Sequence, residues 1–249
     1  MTGTACPASP TIRVATYNIQ KSIGLDARRQ PQRILDVIAE IDPDILAVQE
    51  VDRRFGERQT TLPLQMIADR TDLCAISFAP HQAGIGWHGN AILVRKSAQV
   101  LSQRRLTLPQ LEPRGGAIAT VEVRGRRLQC VAMHLSLTGY FRRLQIIHAV
   151  GELGTQPETM PTVIMGDFND WYGRSRSLRS FGPGYEFVPT GPSFPAPMPV
   201  ATLDRIIVSR DLSVSAAAVH SSKLARMASD HLPVWADLGM PEAAAAAPR

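Results

Sequence analysis

Two short polar motifs, Gly166-Asp167-Phe168-Asn169 and Ser229-Asp230-His231-Leu232-Pro233, carry the residue types that hydrolytic chemistry needs. Each adjoins an apolar run. Thr162-Val163-Ile164-Met165 precedes the first, and Val234-Trp235-Ala236-Asp237-Leu238 follows the second. Asp167 and Asn169 stand at alternate positions, so on an extended chain they share a face. An Asp there can take a proton from water, and an Asn can hold that water or a phosphoryl oxygen. The same pair can instead close an Asx-turn, with Gly166 letting the backbone bend. Asp230 and His231 are adjacent and therefore diverge, so one can bind metal while the other faces substrate or Asp204. Asp204 opens the apolar run 203–209, where an acid is costly unless it is paired.

Three more polar residues stand at the ends of apolar runs: Asn18 after 12–17, Glu50 after 45–49 and His134 after 128–133. Asn18 can orient a carboxylate or a water. Glu50 is of the type that a hard cation such as Mg²⁺ prefers, since such ions take a few carboxylate oxygens and keep several waters. His134 can donate to a phosphate oxygen or serve as a structural hydrogen-bonding group. Taken singly, each also reads as a turn or a solvated rim residue. Taken together, they form a series of polar strand ends, the pattern of a site assembled between two sheets. Other chemistries lack their signatures. There is no Gly-x-Ser-x-Gly elbow, no P-loop and no Gly-x-Gly-x-x-Gly after a strand. The cysteines Cys6, Cys74 and Cys130 form no Cys-x-x-Cys pair, and no His-x-x-x-His is present, which disfavours zinc and a disulfide framework.

The elements that must position these residues follow from the apolar pattern. Runs at 12–19, 45–51, 91–95, 117–123, 128–135, 162–168, 203–209 and 233–238 read as strands. Arg124-Gly125-Arg126-Arg127 joins two of them as a hairpin turn. Ile34, Leu35, Ile38 and Ile41 share a helical face, with Pro31 in its first turn. Leu144, Ile147 and Val150 mark a second helix with Thr138 as its cap, and 62–70 a third. Strands outnumber helices in mixed order, which favours packed sheets flanked by helices over a strictly alternating α/β fold. Pro/Gly-rich segments near 80–90, 107–116 and 181–200 read as long loops, often functional in a compact domain.

The 249 residues suit one domain, assigned here to 11–239, with flexible ends at 1–10 and 240–249. No apolar run is long enough to span a bilayer, and the first residues do not have the form of a signal peptide. Few, widely spaced thiols fit a reducing compartment, so a cytoplasmic location is expected. The net charge is +5, and nearly all of the basic charge is Arg, a type suited to bidentate phosphate recognition.

The motifs together resemble the endonuclease/exonuclease/phosphatase superfamily, the DNase I-like fold. The matching segments are Thr16-Tyr17-Asn18-Ile19, Val48-Gln49-Glu50, Gly89-Asn90-Ala91-Ile92-Leu93, Met133-His134-Leu135, Gly166-Asp167-Phe168-Asn169, Leu203-Asp204-Arg205-Ile206 and Ser229-Asp230-His231-Leu232-Pro233, in the family's order. The resemblance implies a four-layer α/β sandwich with two mixed β-sheets packed face to face and flanking helices. It implies a phosphoesterase, in the first place a phosphodiesterase, dependent on Mg²⁺ or on Mn²⁺ as its substitute. By motif, Glu50 is the principal metal ligand, and Asn18 and Asp230 complete or support the metal site. Asp167 orients or deprotonates the attacking water and Asn169 helps to position it. His134 and His231 donate to the phosphate, with Asp204 orienting His231.

Tyr17-Asn18-Ile19-Gln20-Lys21-Ser22-Ile23-Gly24, Glu112-Pro113-Arg114-Gly115-Gly116-Ala117 and Ser193-Phe194-Pro195-Ala196 before Leu203-Asp204-Arg205 further resemble segments of small bacterial members, although Gln20 stands where those have His and Ser22 where they have Gly. Asn90, Arg114 and Trp171 are the expected substrate-binding residues. Two substrate classes fit. One is DNA or RNA, with Arg53, Arg54, Arg142, Arg143, Arg174, Arg176 and Arg179 meeting backbone phosphates. The other is a phospholipid headgroup or a small phosphate ester, with Trp87, Trp171, Tyr172 and Phe194 meeting apolar parts. Firm membrane insertion is not expected. A non-catalytic interaction protein on the same fold is the remote alternative.

Overall fold

The computed structural model describes residues 11–109, 111–155, 159–173 and 175–240. Arg174 and the segments 1–10 and 241–249 therefore lie outside the described residues. Two six-stranded mixed sheets form the molecule. In the first, the strand order is β11 (Ser213–Val219), β12 (Val234–Gly239), β1 (Ile12–Asn18), β2 (Ile45–Gln49), β4 (Ala91–Arg95), β3 (Leu73–Ile76). In the second it is β5 (Gln99–Thr107), β6 (Gly115–Val123), β7 (Arg126–His134), β8 (Thr162–Asp167), β10 (Asp204–Ser209), β9 (Tyr185–Phe187). Among the described residues the α-helices are α1 (Pro31–Ile41), α2 (Leu64–Arg70), α3 (Gly139–Gly154) and the single turn α4 (Ala225–Ala228).

Both faces of each central strand are buried, so the alternation of side chains sorts them into three apolar layers. Val14, Ala47, Ile92, Ala119, Cys130, Met165 and Ile206 meet between the sheets. Ala15, Tyr17, Leu46 and Val48 face outward onto Ile34, Leu35 and Ile38 of α1. Val131, Met133, Ile164 and Ile207 face the other way, onto Ile146, Ala149 and Leu153 of α3. The result is the expected four-layer α/β sandwich. Met240 is buried in the inter-sheet core.

All of the expected strands are present, within one or two residues at their ends. The strands that the apolar pattern does not reveal are β3, β5, β9 and β11, and these are the four edges of the two sheets. An edge strand needs only one buried face or less. β5 and β11 are exposed along most of their length, so their residues show no buried run. The hairpin between β6 and β7 is tighter than expected. Val123 pairs with Arg126, leaving a two-residue turn in which Arg124 and Gly125 both have positive φ, as a type I′ turn requires.

The second helix is rotated from its expected face. Its buried stripe is Arg142, Gln145, Ile146, Ala149 and Leu153, whereas Ile147 is exposed. The reason is polar: Gln145 Oε1 accepts from Ser136 N at 2.9 Å, and Arg142 Nη1 donates to Leu137 O at 2.7 Å. These bonds turn two polar side chains inward, which an apolar count cannot detect. Thr138 does occupy the N-cap position, but its hydroxyl makes no capping bond.

The topology brings the polar strand ends to one edge of the sandwich. β1 and β2 are parallel, as are β7 and β8, so Asn18, Glu50, His134 and Asp167 all leave at carboxyl ends on that side. β10 and β12 run antiparallel to their neighbours, so Asp204 and the Asp230-His231 pair enter from the same side. At the opposite edge, buried Asp44 fastens the sheets. It accepts from Arg95 Nε at 2.7 Å and from Arg124 Nη2 at 3.0 Å, the latter on the β6–β7 hairpin of the other sheet.

Gly166 is fixed by close approach. A Cβ there would stand 1.8 Å from Met133 O on the adjacent parallel strand, one residue before both His134 and Asp167. Gly166→Ala is therefore expected to destabilise the protein by ~2–4 kcal/mol, read as a lowered thermal midpoint. An unchanged midpoint would show that β7 can move aside.

Candidate active site

Asp167 is the centre of the site. It is 1% exposed, and groups from both sheets turn toward it. Asn18, at the end of β1, donates from Nδ2 to Asp167 Oδ2 at 3.0 Å across the sandwich. His134 Nε2 lies 3.4 Å from the same oxygen, and His231 Nε2 lies 3.8 Å from it. The other oxygen accepts from Asn169 N at 2.9 Å. This last bond is an Asx-turn, so the structural reading of Gly-Asp-Phe-Asn holds alongside any chemical one. Asn169 has φ +50, and its Nδ2 donates to Leu135 O at 2.9 Å, which ties the turn to the end of β7. Burial pushes the Asp167 carboxyl above its ordinary range; His231 opposes that shift and Asp204 adds to it.

Asp204 pairs with Asp167 in the β8–β10 register. Its Oδ2 receives Ser193 Oγ at 2.6 Å and stands 2.8 Å from His231 Nδ1. Burial alone would strip His231 of its charge. Instead the charge and hydrogen bond of Asp204, followed by Asp167 and Asp230, push it up to about 10. His231 is thus an imidazolium with Nδ1 held by Asp204. Phe194 packs against its ring at a centroid distance of 4.8 Å, and Trp171 packs edge-on against Phe194 at 5.8 Å.

His134 is the opposite case. Burial, and then the neighbouring Arg114, hold it well below its ordinary value, so it is neutral. Arg114 Nη1 stands against His134 Nε2. A guanidinium has only protons to offer, so this nitrogen accepts and the ring proton sits on Nδ1. The positive charge on this side of Asp167 is therefore carried by Arg114.

Glu50 follows β2 with φ +58, a left-handed conformation that costs a non-glycine residue ~1–2 kcal/mol. Lys21 N donates to Glu50 O at 3.1 Å, and the Lys21 ammonium also pairs with the Glu50 carboxylate. Asp230 is raised above the ordinary carboxylate range by burial, with Glu50 adding to the effect and His231 opposing it. Glu50 and Asp230 together offer an oxygen-only donor set, which fits a hard divalent cation. Asp167, Asp204 and His231 also hold ligand atoms within 4.8 Å of one another. There His231 Nδ1 is taken by Asp204 and the ring is cationic, which disfavours a second cation beside it. Asn18 is committed on both polar atoms, since its Oδ1 accepts from Gln20 N at 3.1 Å.

An open cleft of about 840 Å³ leads from Glu50, His134 and Arg114 past Arg53, Arg54 and Arg58. Of the acids on its walls, Asp52 is spent on the backbone N–H groups of Ile85 and Gly86. Five cations, Lys21, Arg53, Arg54, Arg58 and Arg114, then face this cleft against Glu50 and Glu57. Asn90 does not line it. Its Nδ2 donates to Gly115 O at 3.0 Å and Trp87 O at 3.3 Å, binding the loop before β4 to the start of β6. Ser193 and Lys21 lie in segments that resemble those of small bacterial members, but their positioning of Asp204 and Glu50 is not expected from those segments.

The sequence model of the Endonuclease/Exonuclease/phosphatase family matches residues 15–231. The uncharacterized protein YbhP of Escherichia coli K12 is 26% identical over 248 residues, covering 92% of this chain and 96% of that protein. The mannosyl-6-phosphatase Bt3783 of Bacteroides thetaiotaomicron superposes with a TM-score of 0.73 at 18% identity, over 92% of this chain and 100% of that one. TDP2 of D. rerio, complexed with a single-strand DNA product, superposes with a TM-score of 0.70 at 17% identity, over 92% and 99%. No helix among the described residues is long and apolar enough to cross a membrane.

Because folding raises the His231 pKa, its imidazolium contributes stability that is full below the ordinary value of 6.5 and is lost as pH rises through about 10. Side-chain NMR of chelator-treated protein should show His231 losing its proton near pH 10 and His134 neutral throughout the neutral range. In Asp204→Asn, His231 should titrate far lower. A His231 that titrates near 6.5 in the wild type would remove the Asp204 pair from the site.

Proposed function

The chain belongs to the endonuclease/exonuclease/phosphatase family, and on that premise we propose that it is a divalent-metal-dependent phosphoric ester hydrolase acting as a phosphodiesterase. The observation that carries this reading is the convergence on buried Asp167 of Asn18 and His231 from the facing sheet, with His231 held by Asp204 of the sheet that carries Asp167 itself. Glu50 would hold Mg²⁺, or Mn²⁺ in its place, with Asp230 and Asn18 supporting that site. The bound cation would offset the charge that develops on the phosphoryl oxygens.

The chain's own groups divide the remaining work. Asp167, more basic than an exposed carboxylate, orients the attacking water and takes its proton. Asn169 contributes its Oδ1 to that water, since its Nδ2 is bonded to Leu135 O. His231 donates from Nε2 to a phosphoryl oxygen, and Asp204 fixes its orientation and charge. His134 acts by seating Arg114, whose guanidinium supplies the charge-assisted donor on that side. Trp171, behind Phe194, forms part of the opposite wall.

The cleft favours a substrate with more than one negative group. Both proposed classes, nucleic acid and phospholipid or small ester, meet that demand. The fold does not choose between them, since a sugar phosphatase and a protein carrying a DNA product share it. The second class is favoured by the exposed apolar side chains that surround the mouth of the site.

Hydrolysis of a model phosphodiester should require Mg²⁺ or Mn²⁺, cease with EDTA and return on adding metal. Asp167→Asn and His231→Ala should lower turnover by roughly 10²–10⁴-fold while keeping the circular dichroism of a folded protein, with His231→Ala lowering the thermal midpoint because buried Asp204 loses its partner. Comparable turnover by wild type and Asp167→Asn would sink the assignment. Glu50→Gln should raise the Mg²⁺ concentration needed for half-maximal activity more than it changes substrate affinity. An unchanged metal requirement would place the cation elsewhere.

A further inference from the structure

The most exposed of the large apolar side chains gather at one edge of the molecule. Among the described residues, the eight most exposed are Phe55, Leu111, Leu137, Tyr140, Trp171, Tyr172, Met198 and Val200, from 56% to 83%, and the next is Leu64 at 55%. All eight lie in the segments that emerge at the edge of the sandwich holding the site. Phe55 is in the loop after Glu50, Leu111 is in the loop before β6, and Leu137 and Tyr140 follow His134. Trp171 and Tyr172 follow Asn169, while Met198 and Val200 lie in the loop before Asp204.

Polar bonds and one ring contact join all of these segments except that of Phe55 into one rim. Glu112 Oε1 accepts from Leu137 N at 2.9 Å, which links the segments of Leu111 and Leu137. Arg142 donates to Leu137 O at 2.7 Å and to Asp170 Oδ2 at 3.3 Å. Asp170 Oδ1 in turn accepts from Tyr172 N at 3.0 Å. The Trp171–Phe194 contact continues the rim to the last segment, where Val200 N donates to Phe194 O at 2.8 Å. The rim is therefore a fixed surface of buried polar ties and outward apolar side chains. Such a concentration at a site's mouth marks an interaction surface.

Charge chooses the occupant. Phe55 is flanked by Arg53 and Arg54, and the cations of the cleft lie immediately inside the rim. Arg143 beside Tyr140, and Arg176 and Arg179 beyond Tyr172, are exposed with no acidic partner among the described residues. Basic and apolar side chains together fit an anionic lipid surface. The apolar groups enter the headgroup–acyl boundary while the arginines meet the phosphates. A nucleic-acid strand would use the arginines and stack on the aromatic rings, but it gives Leu111, Leu137, Met198 and Val200 nothing to bury against.

We propose that this rim docks the protein reversibly on anionic phospholipid surfaces and presents lipid phosphodiesters to the site. The presentation of substrate rests on the phosphoesterase reading above, whereas docking does not.

The test is co-sedimentation of Asp167→Asn protein, which cannot consume the lipid, with phosphatidylcholine vesicles with and without phosphatidylglycerol. Binding should appear with phosphatidylglycerol, weaken with salt, and fall at least roughly tenfold when Phe55→Ser and Tyr140→Ser are added. In an otherwise wild-type chain, the Phe55→Ser/Tyr140→Ser pair should leave hydrolysis of a soluble phosphodiester unchanged and slow that of vesicle-borne lipid. Absence of vesicle binding, or equal binding by the doubly substituted rim, would overturn the proposal. Single-strand DNA binding that is lost with the same two substitutions, without vesicle binding, would overturn it in favour of a nucleic-acid surface. Vesicle binding by a protein inert toward every phosphodiester would leave docking standing and remove the phosphoesterase reading.

Discussion

A buried carboxylate is the constraint on which the rest of this site depends. An ionised Asp removed from water is costly unless charge and hydrogen bonds surround it. Asp167 obtains them from every direction: Asn18 across the sandwich, Asn169 N from its own turn, His231 from the segment before β12, and Arg114 through its charge. Each partner is itself held. Asp204 and Phe194 fix His231, the Leu135 carbonyl fixes Asn169, and Gln20 N fixes Asn18. The two histidines beside one oxygen end in opposite protonation states. His231 has a carboxylate behind it, and His134 has a guanidinium in front of it. Neighbouring charge, more than burial, separates them, since both are buried.

The two edges of the sandwich are built on different principles. At the edge away from the site, Asp44 is matched by Arg95 and Arg124, so opposite charges close the sheets together. At the site edge, Glu50 adds to the cost of ionising Asp230 and a row of arginines faces one cleft. Glu50 also sits in a left-handed backbone conformation. Unbalanced charge and backbone strain are expected where a fold holds groups ready for a ligand rather than for each other. The three apolar layers supply the stability that this arrangement draws on.

The legibility of the fold followed burial. Central strands such as β1, β2, β7 and β8 are buried on both faces and read as apolar runs. The edge strands β5 and β11 are largely solvated and read as ordinary polar sequence. In α3 the apolar pattern pointed to Leu144, Ile147 and Val150, yet the inward face holds Arg142 and Gln145. Both are turned in by polar groups outside the helix: Gln145 bonds Ser136 N and Pro109 O, and Arg142 bonds Leu137 O and Asp170 Oδ2. A related distinction holds at the site. Asp167, Asn169, Asp204 and His231 stand beside buried runs and were visible with their roles, whereas Lys21 and Ser193 were visible as parts of motif segments and their bonds to Glu50 and Asp204 were not.

By itself, then, the sequence determined the core strands, the sheet-and-helix class and the residue types gathered at strand ends, because these are local matters of alternation and chemistry. Only the tertiary structure decided which oxygen meets which imidazole, which histidine is charged, and that Asn90 ties loops together. It alone showed that the eight most exposed apolar side chains among the described residues all emerge at the edge of the sandwich that holds the site. Those outcomes depend on distances between residues far apart in the chain. Such distances are set by how the two sheets pack and where their strands end, and no window of sequence contains them.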